Sequence, residues 1–508
     1  MHNIAHTFST SFGTAIMAVT VLALAYLVTI LHYRKQLSHP KLYPPGPSAK
    51  EMPTYDTWIK FQDWGKEYGE LVYVREMNIL IVNTSRVAND LLEKRARIFS
   101  DRRVTPMMEL CGIGYIFSVA RYSNEWRRDR KLFLQNFRQA VVNRFYPYQY
   151  KKVQEFLCNL TISPHEFMQH TMGLSQSLVF SSVYGLDVAP EDHLAQIAVE
   201  AMNTLADTQI IGAFPTIQRY PWLRYMPSWF PGCGFQQVAA QCLEKLKTLD
   251  TIPFDMAMNN LKRGSGTSII AELAVQNEGN AEALEAIKRM GIVSYLAAAD
   301  TTMSSISSFL LAMTLHPEIQ RKGQEEIDVV IGKDRLPTFE DRLSLPYVEA
   351  IYREVMRLHP PIPSGVIHTS IEDDYYRGYH IPKGCAVVPN VWAMNRDKEV
   401  YSEPDRFLPE RHLNIPGGPF TNINDISAFG FGRRVCAGRY MADNTVWLTV
   451  ASVLATLTLG KAKDRNGNEI NILGEYTSGM LRHPKPYQAS ITPRNQNAKG
   501  LIMAATSQ

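Results

Sequence analysis

The sequence predicts a large, mostly α-helical protein with a minor β portion, carried behind one N-terminal apolar segment. Three observations predict this. Helical periodicity runs through residues 286–315, which hold no proline, and through 345–358, while residues 441–457 are apolar on more than one face, as a buried helix requires. Strand-type composition is confined to residues 70–82 and 375–388. Residues 12–31 are uncharged and mostly apolar, and about 20 such residues span a bilayer as helix.

In chain order, the apolar segment comes first. No Lys or Arg precedes it, whereas Arg34, Lys35 and Lys41 follow. The positive-inside bias therefore places the bulk of the chain on the cytosolic side. A cleaved signal peptide would carry a basic leading region, a shorter apolar core and a small-residue cleavage site. None is evident, so residues 1–33 are expected to form a retained membrane anchor. Residues 34–47 read as a basic, proline-rich linker in which Pro44, Pro45, Gly46 and Pro47 form a stiff hinge. Residues 48–508 read as one globular unit. The chain has 508 residues, 45% of them hydrophobic, and no repeat or low-complexity block divides it. A formal net charge of +4 is too small to point to nucleic acid. The six cysteines are scattered with no C-x-x-C pair, against a zinc site or a disulfide framework and in keeping with reduced thiols in the cytosol. The helix over 286–315 stops at His316-Pro317, and the helix over 345–358 stops at Pro360-Pro361. Pro382, Lys383 and Gly384 read as the turn of a hairpin within 375–388.

Chemistry concentrates in four places. Between Phe429 and Gly438 lie the glycines Gly430, Gly432 and Gly438 and the cysteine Cys436, directly before the buried helix. Glycines allow positive φ and close approach of backbone to a flat ligand. A cysteine at a helix N-terminus meets the positive end of the dipole, which favours the thiolate a metal needs. Arg434, two residues earlier, is placed to meet an anion. The bland alternative is an inert buried cysteine in a glycine-rich turn. Glu354 and Arg357 stand at i, i+3 on one helix face, a spacing that alone reads as a surface ion pair. Asp300 and Thr301 follow three alanines in mid-helix, where an acid and a hydroxyl read either as a buried polar patch or as a functional pair. Trp126 and Arg130 share a face at i, i+4.

At these motifs the sequence resembles the cytochrome P-450 superfamily. Its haem signature, Phe-x-x-Gly-x-Arg-x-Cys-x-Gly, is matched at every fixed position from Phe429 to Gly438. The resemblance runs over roughly residues 44–493 and implies the P-450 fold behind a single transmembrane helix. It implies haem b (iron protoporphyrin IX) with Cys436 as axial ligand of the iron, and Arg434, Trp126, Arg130 and His368 as propionate contacts. His368 lacks the arginine that often follows it in relatives, and reads equally as an ordinary histidine. Asp300 and Thr301 are implied to deliver protons to dioxygen. Glu354, Arg357 and Arg411 are implied to form a buried network that holds the cysteine loop. Two departures stand out. Ala298 replaces a usual glycine, whose extra methyl is expected to narrow the oxygen groove. The family's Gly/Pro-rich stretch after the Pro-Pro-Gly-Pro hinge is missing after Pro47, which is expected to loosen the first sheet.

The implied reaction is NADPH-dependent insertion of one oxygen atom of dioxygen into an apolar small molecule. The segment from Trp222 to Gly232 resembles fungal microsomal members, which implies secondary metabolism, with a terpenoid or polyketide as substrate. The chain shows no nucleotide-binding glycine motif of its own, so NADPH electrons are expected from a partner reductase, NADPH-cytochrome P-450 reductase, with cytochrome b5 as a second donor. The implied location is the endoplasmic reticulum membrane, single-pass, with the catalytic domain cytosolic. A haem-thiolate isomerase or dehydratase, and a non-catalytic haem sensor, are the rival readings. Phe214, Trp222, Trp229 and Phe230 are expected to make a second, shallow membrane contact. The cluster Arg127, Arg128, Lys131, Arg138 and Arg433 is expected to face the reductase.

Overall fold

The computed structural model describes residues 41–189, 192–210, 213–413, 420 and 422–504, with residues 20, 23, 24 and 26–28 of the N-terminal stretch. Apart from those six, the anchor expected over residues 1–33 lies outside the described residues. Among the described residues one helix, Ala281–Leu315, is long and apolar enough to cross a membrane, and it is buried in the protein core.

The main elements, in chain order, are α1 (Thr57–Tyr68), β1 (Leu71–Val74), β2 (Ile79–Val82), α2 (Pro106–Leu110), α3 (Asn124–Phe137), α4 (Tyr146–Ile162), α5 (Phe167–Val179), α6 (His193–Gln209), α7 (Phe235–Lys262), α8 (Ala281–Leu315), α9 (Pro317–Val330), α10 (Pro346–Leu358), β3 (His368–Thr369), β4 (Asp374–Tyr376), β5 (Tyr379–Ile381), β6 (Ala386–Pro389), α11 (Arg439–Thr456), β7 (Leu457–Lys461) and β8 (Ala489–Pro493). Two compact units hold them. Residues 45–372 with 383–508 form the large unit, and Asp373–Pro382 groups with the chain up to Pro44.

The large unit is organised around α8. Asn280 caps it by accepting the Ala283 amide at 3.1 Å, and it runs unbroken until His316, beyond which Pro317 opens α9. It packs against α5, α7, α3 and α11, and it is buried along most of its length from Ala286 onwards, while its first turn is partly exposed. At Gly291 an added Cβ would stand 2.4 Å from the Tyr184 hydroxyl, so the helix approaches that side chain closely there. The helix α11 is buried along most of its length, as its all-round apolarity predicts. The sheet of this unit has the order β1-β2-β6-β3, with β2 and β6 parallel.

Two expectations change here. The turn at Pro382, Lys383 and Gly384 does not close a hairpin. The hairpin is β4–β5, closed by Arg377 and Gly378, both at positive φ as a tight two-residue turn demands, and β6 pairs with β2 and β3 instead. Missing residues after Pro47 do not loosen the first sheet: β1 and β2 pair across all four residues. The hinge supplies the explanation. The Tyr73 amide donates to the Pro45 carbonyl at 2.9 Å, and a Cβ at Gly46 would stand 2.4 Å from the Tyr73 carbonyl oxygen, so Pro45 and Gly46 lie directly on β1.

Candidate active site

The cysteine loop is shaped by its glycines. Gly430 and Gly432 have φ of +78° and +59°, and a Cβ on Gly432 would stand 2.0 Å from the Leu92 carbonyl oxygen. The Cys436 amide donates to the Phe429 carbonyl at 2.8 Å, folding the loop back on itself. Gly438 caps α11 without a side chain, and space at its Cα is open. The thiol does not behave as the dipole argument alone expects. Burial pushes Cys436 above the ordinary thiol range, and the opposing pull of the Gly438 amide and the Arg130 and Arg439 charges is smaller. A thiolate here therefore needs a bound metal cation, which deprotonates a coordinating thiol outright.

Cys436 opens onto a cavity of about 260 Å³. Phe429, Gly438 and Ala437 line it on the cysteine side, and Ala297, Ala298 and Thr301 of α8 line the opposite wall. The rest is mainly apolar, with Met202, Leu205, Val293, Ile362, Val366 and Leu481 among the lining side chains. Thr301 Oγ1 donates to the Ala297 carbonyl at 2.8 Å, so its oxygen keeps its acceptor capacity towards the cavity. Ala298, where relatives usually have glycine, is part of this wall.

One edge of the cavity is cationic. Arg102, Arg130 and Arg434 are all buried there with His368, and no described lining residue is a carboxylate. Arg434 donates to the carbonyls of Ser100, Phe117 and Ala120 at 2.7–2.8 Å. Arg102 donates to those of Ser118, Val366 and Ile367 at 2.7–2.9 Å, and Arg130 to that of Val435 at 2.5 Å. Burial, and then mutual repulsion, hold Arg434 down at about 9, and burial holds Arg130 at about 10. Burial and the neighbouring Arg434 hold Arg102 well below its usual value. Buried charges are normally paired, so three unpaired guanidiniums around one cavity call for an anionic occupant. His368 sits among them, its Nδ1 2.8 Å from the Phe99 carbonyl, and burial keeps its imidazole neutral. Trp126 takes a supporting place: its Nε1 donates to the Phe117 carbonyl at 2.8 Å, and its ring lies 4.1 Å from the Arg434 guanidinium. Arg102 was not singled out from the sequence, because an arginine in a loop carries no periodicity that marks it as buried.

Glu354, Arg357 and Arg411 meet as the resemblance implied. Arg357 binds Glu354 through Nε and Nη2 at 2.7 and 2.8 Å, and Arg411 Nε reaches the same carboxylate at 3.1 Å. His412 joins at 2.9 Å, a fourth member that the sequence reading missed. Burial pushes Glu354 up, but its bonds and charges from Arg357 and His412 outweigh this and bring it down to about 2. Arg357 also donates to the carbonyls of Asn395 and Pro404, and Asn395 bonds Ser427, two residues before Phe429. The network thus braces the segment that leads into the cysteine loop.

Asp300 is not among the residues that line the cavity. Its Oδ1 lies 3.0 Å from His483 Nε2, in a partner relation no motif announced.

A thiol loop pressed open by glycines, facing a helix hydroxyl across an anion-seeking cavity, is joined by family-wide similarity. Residues 43–491 match the cytochrome P450 family model. The chain belongs to the cytochrome P450 family. It is 36% identical to cytochrome P450 monooxygenase COX1 of Coprinopsis cinerea, over 97% of this chain and 99% of that one. It is also 36% identical to cytochrome P450 monooxygenase 176 of Postia placenta, over 91% and 92%, and to cytochrome P450 monooxygenase ple1 of Rhodocybe pseudopiperita, over 91% of each. The P450 family implies haem iron, and the residues here fit it. Cys436 offers a thiol to an iron, the three guanidiniums would match the carboxylates of a haem, and the open space at Gly438 would admit a flat ring. The chain is accordingly an oxidoreductase of the monooxygenase kind.

Proposed function

We propose that this P450 inserts one oxygen atom of dioxygen into an apolar small molecule of fungal secondary metabolism, such as a terpenoid or polyketide, with the second atom leaving as water. Electrons come from NADPH through a partner reductase. The observation that carries the substrate class is the cavity wall. Above the cysteine side it presents Met202, Leu205, Val293, Ile362 and Leu481, and no charged group outside the cationic edge. An ionic substrate would find no counter-charge there.

Cys436 would hold haem b, which would supply dioxygen activation, the electron density of a thiolate ligand favouring O–O cleavage. The protein does the rest. Arg102, Arg130 and Arg434 would hold the haem's two carboxylates and orient the ring, while His368, whose one N–H is given to the Phe99 carbonyl, packs beside them. Thr301 presents a hydroxyl oxygen to the cavity, and Asp300, its neighbour on α8, is the nearby acid through which a proton would pass. The apolar wall excludes water from the reacting centre and positions the substrate by shape.

The N-terminal segment anchors the enzyme in the endoplasmic reticulum membrane with the catalytic unit in the cytosol. The second membrane contact needs revision. Trp222, Trp229 and Tyr225 are 55%, 80% and 81% exposed, whereas Phe214 and Phe230 pack against the core. Trp222, Tyr225 and Trp229 are therefore the aromatic contact.

The test is co-expression with a fungal reductase and analysis of products from a panel of terpenoids and polyketides. The reduced, carbon-monoxide-bound protein should show the red-shifted Soret band of thiolate ligation, lost in Cys436→Ala. Product formation without NADPH would instead favour the isomerase reading.

A further inference from the structure

We infer that His483 is a positioning residue for proton delivery, holding Asp300 and passing protons to it from the solvent side. Its placement is built rather than incidental. The His483 amide donates to Thr477 Oγ1 at 3.0 Å, and its carbonyl accepts the Thr477 amide at 2.7 Å, fixing it in a tight turn between Tyr476 and Pro484. One residue earlier, the Arg482 carbonyl accepts the Ser304 hydroxyl at 2.6 Å. Asp300 and Ser304 stand at i, i+4 on α8, so one face of that helix grips two consecutive residues of the turn. The residues just before, Met480 and Leu481, line the cavity. His483 therefore stands directly behind the cavity wall, beside the helix residue that precedes Thr301.

The pair has the properties of a relay. Its side chains are 18% and 14% exposed, which leaves water contact without full screening. Nε2 points at Asp300, while Nδ1 is buried and has no protein partner among the described residues. A buried ring nitrogen of this kind is ordinarily satisfied by water. Asp300 is the chain neighbour of Thr301, which lines the wall. In a balanced transfer the Asp300 carboxyl gives up a proton towards Thr301, His483 Nε2–H replaces it at Oδ1, Nδ1 takes a proton from a water bound to it, and the ring resets by exchanging its Nδ1 proton for one at Nε2 with water. Imidazole suits this because its two nitrogens exchange roles near neutral pH.

The rival role is a mere pin between turn and helix, and glutamine at 483 separates the two. Its amide still donates to Asp300 but cannot carry a proton through. This inference rests on the monooxygenase reading, so the holoenzyme is first shown to have the thiolate band and to consume NADPH with reductase. Failure there overturns that reading and, with it, the relay. The probe is NADPH and dioxygen without substrate, reading peroxide and water formed per NADPH. In wild type a measurable share of electrons should end in water. In His483→Ala and His483→Gln the water-forming rate should fall about tenfold or more, with peroxide rising towards one per NADPH. A second measurement needs no turnover. In urea, the midpoint losses of His483→Ala and Asp300→Asn should be non-additive in the double variant, as for groups in contact. A wild-type peroxide share in His483→Gln makes the residue a pin and overturns the proposal. So does a wild type that already yields only peroxide, or additive midpoint losses.

Discussion

Among single residues, Arg102 carries the most weight that no motif foretold. It repels Arg434 in a buried site, yet it holds three carbonyls at short distance. Such an arrangement persists because the occupant supplies the missing negative charge. Arg102→Leu should transfer its haem to an apoglobin acceptor about tenfold faster or more, since a hydrogen bond to a charged group is worth roughly 1.5–3 kcal/mol. Arg102→Lys, which keeps the charge but loses the fork, should fall between the two. Equal haem-loss rates in all three would show that Arg102 does not face the carboxylates. Arg434 could be expected from its place two residues before Cys436, and Arg130 from its pairing with Trp126. Arg102 could not, because only folding brings residue 102 beside 434.

At the scale of elements, two helices make separate predictions. On α10, Glu354 is depressed to about 2 from an ordinary 4.5. A carboxylate depressed in the folded state contributes stability that is complete above its unfolded value and disappears as pH falls through the folded one. The window is thus about pH 4.5 down to about pH 2, and the contribution is on the order of 3 kcal/mol. Urea midpoints measured across this window should fall more steeply in wild type than in Glu354→Gln. Parallel slopes would mean the network does not set acid stability. On α3 the basic face is smaller than its sequence indicates. Arg128 turns to Glu282 and Asp129, a partner relation invisible in one helix alone. Arg127, Lys131, Arg138 and Arg433 remain exposed, and Arg433 stands near Arg127 through the shared Tyr122 ring. Arg127→Glu with Lys131→Glu should slow first-electron transfer from the reductase, most at low salt, because attraction is screened within ~10 Å at physiological ionic strength. Peroxide-driven turnover should be unchanged. A double variant as fast as wild type at low salt places the docking surface elsewhere.

For the whole molecule, membrane attachment should have two parts. Removing residues 1–33 should release the protein only partly if the proposed aromatic contact holds, because Trp222, Tyr225 and Trp229 remain exposed. Adding Trp222→Ser and Trp229→Ser to the truncation should complete the release, read as the fraction left in the supernatant after sedimentation with vesicles. A truncated protein wholly soluble at low salt would leave the aromatic cluster without a membrane role. Helix α8 has the length and apolarity of a spanning segment, yet it is mostly buried in the protein, so hydropathy alone does not mark a membrane span.

What the sequence by itself determined is what depends on local spacing. The helices around α8, α10 and α11 follow from periodicity and from the prolines that end them, and the cysteine loop follows from glycines that must take positive φ. The Glu354–Arg357 pair was legible because one helical turn brings the two together. What only the tertiary structure decided is what depends on segments far apart in the chain. The hairpin lies at Arg377 and Gly378 because β6 finds better partners in β2 and β3, an inter-strand choice no local turn signal contains. The cationic edge needs residues 102, 130 and 434 at one point, and Asp300 meets His483 across a gap of more than 180 positions. Burial acts on the thiol as well: desolvation, which depends on everything packed around Cys436, pushes it up against the smaller pull of the Gly438 amide and the Arg130 and Arg439 charges.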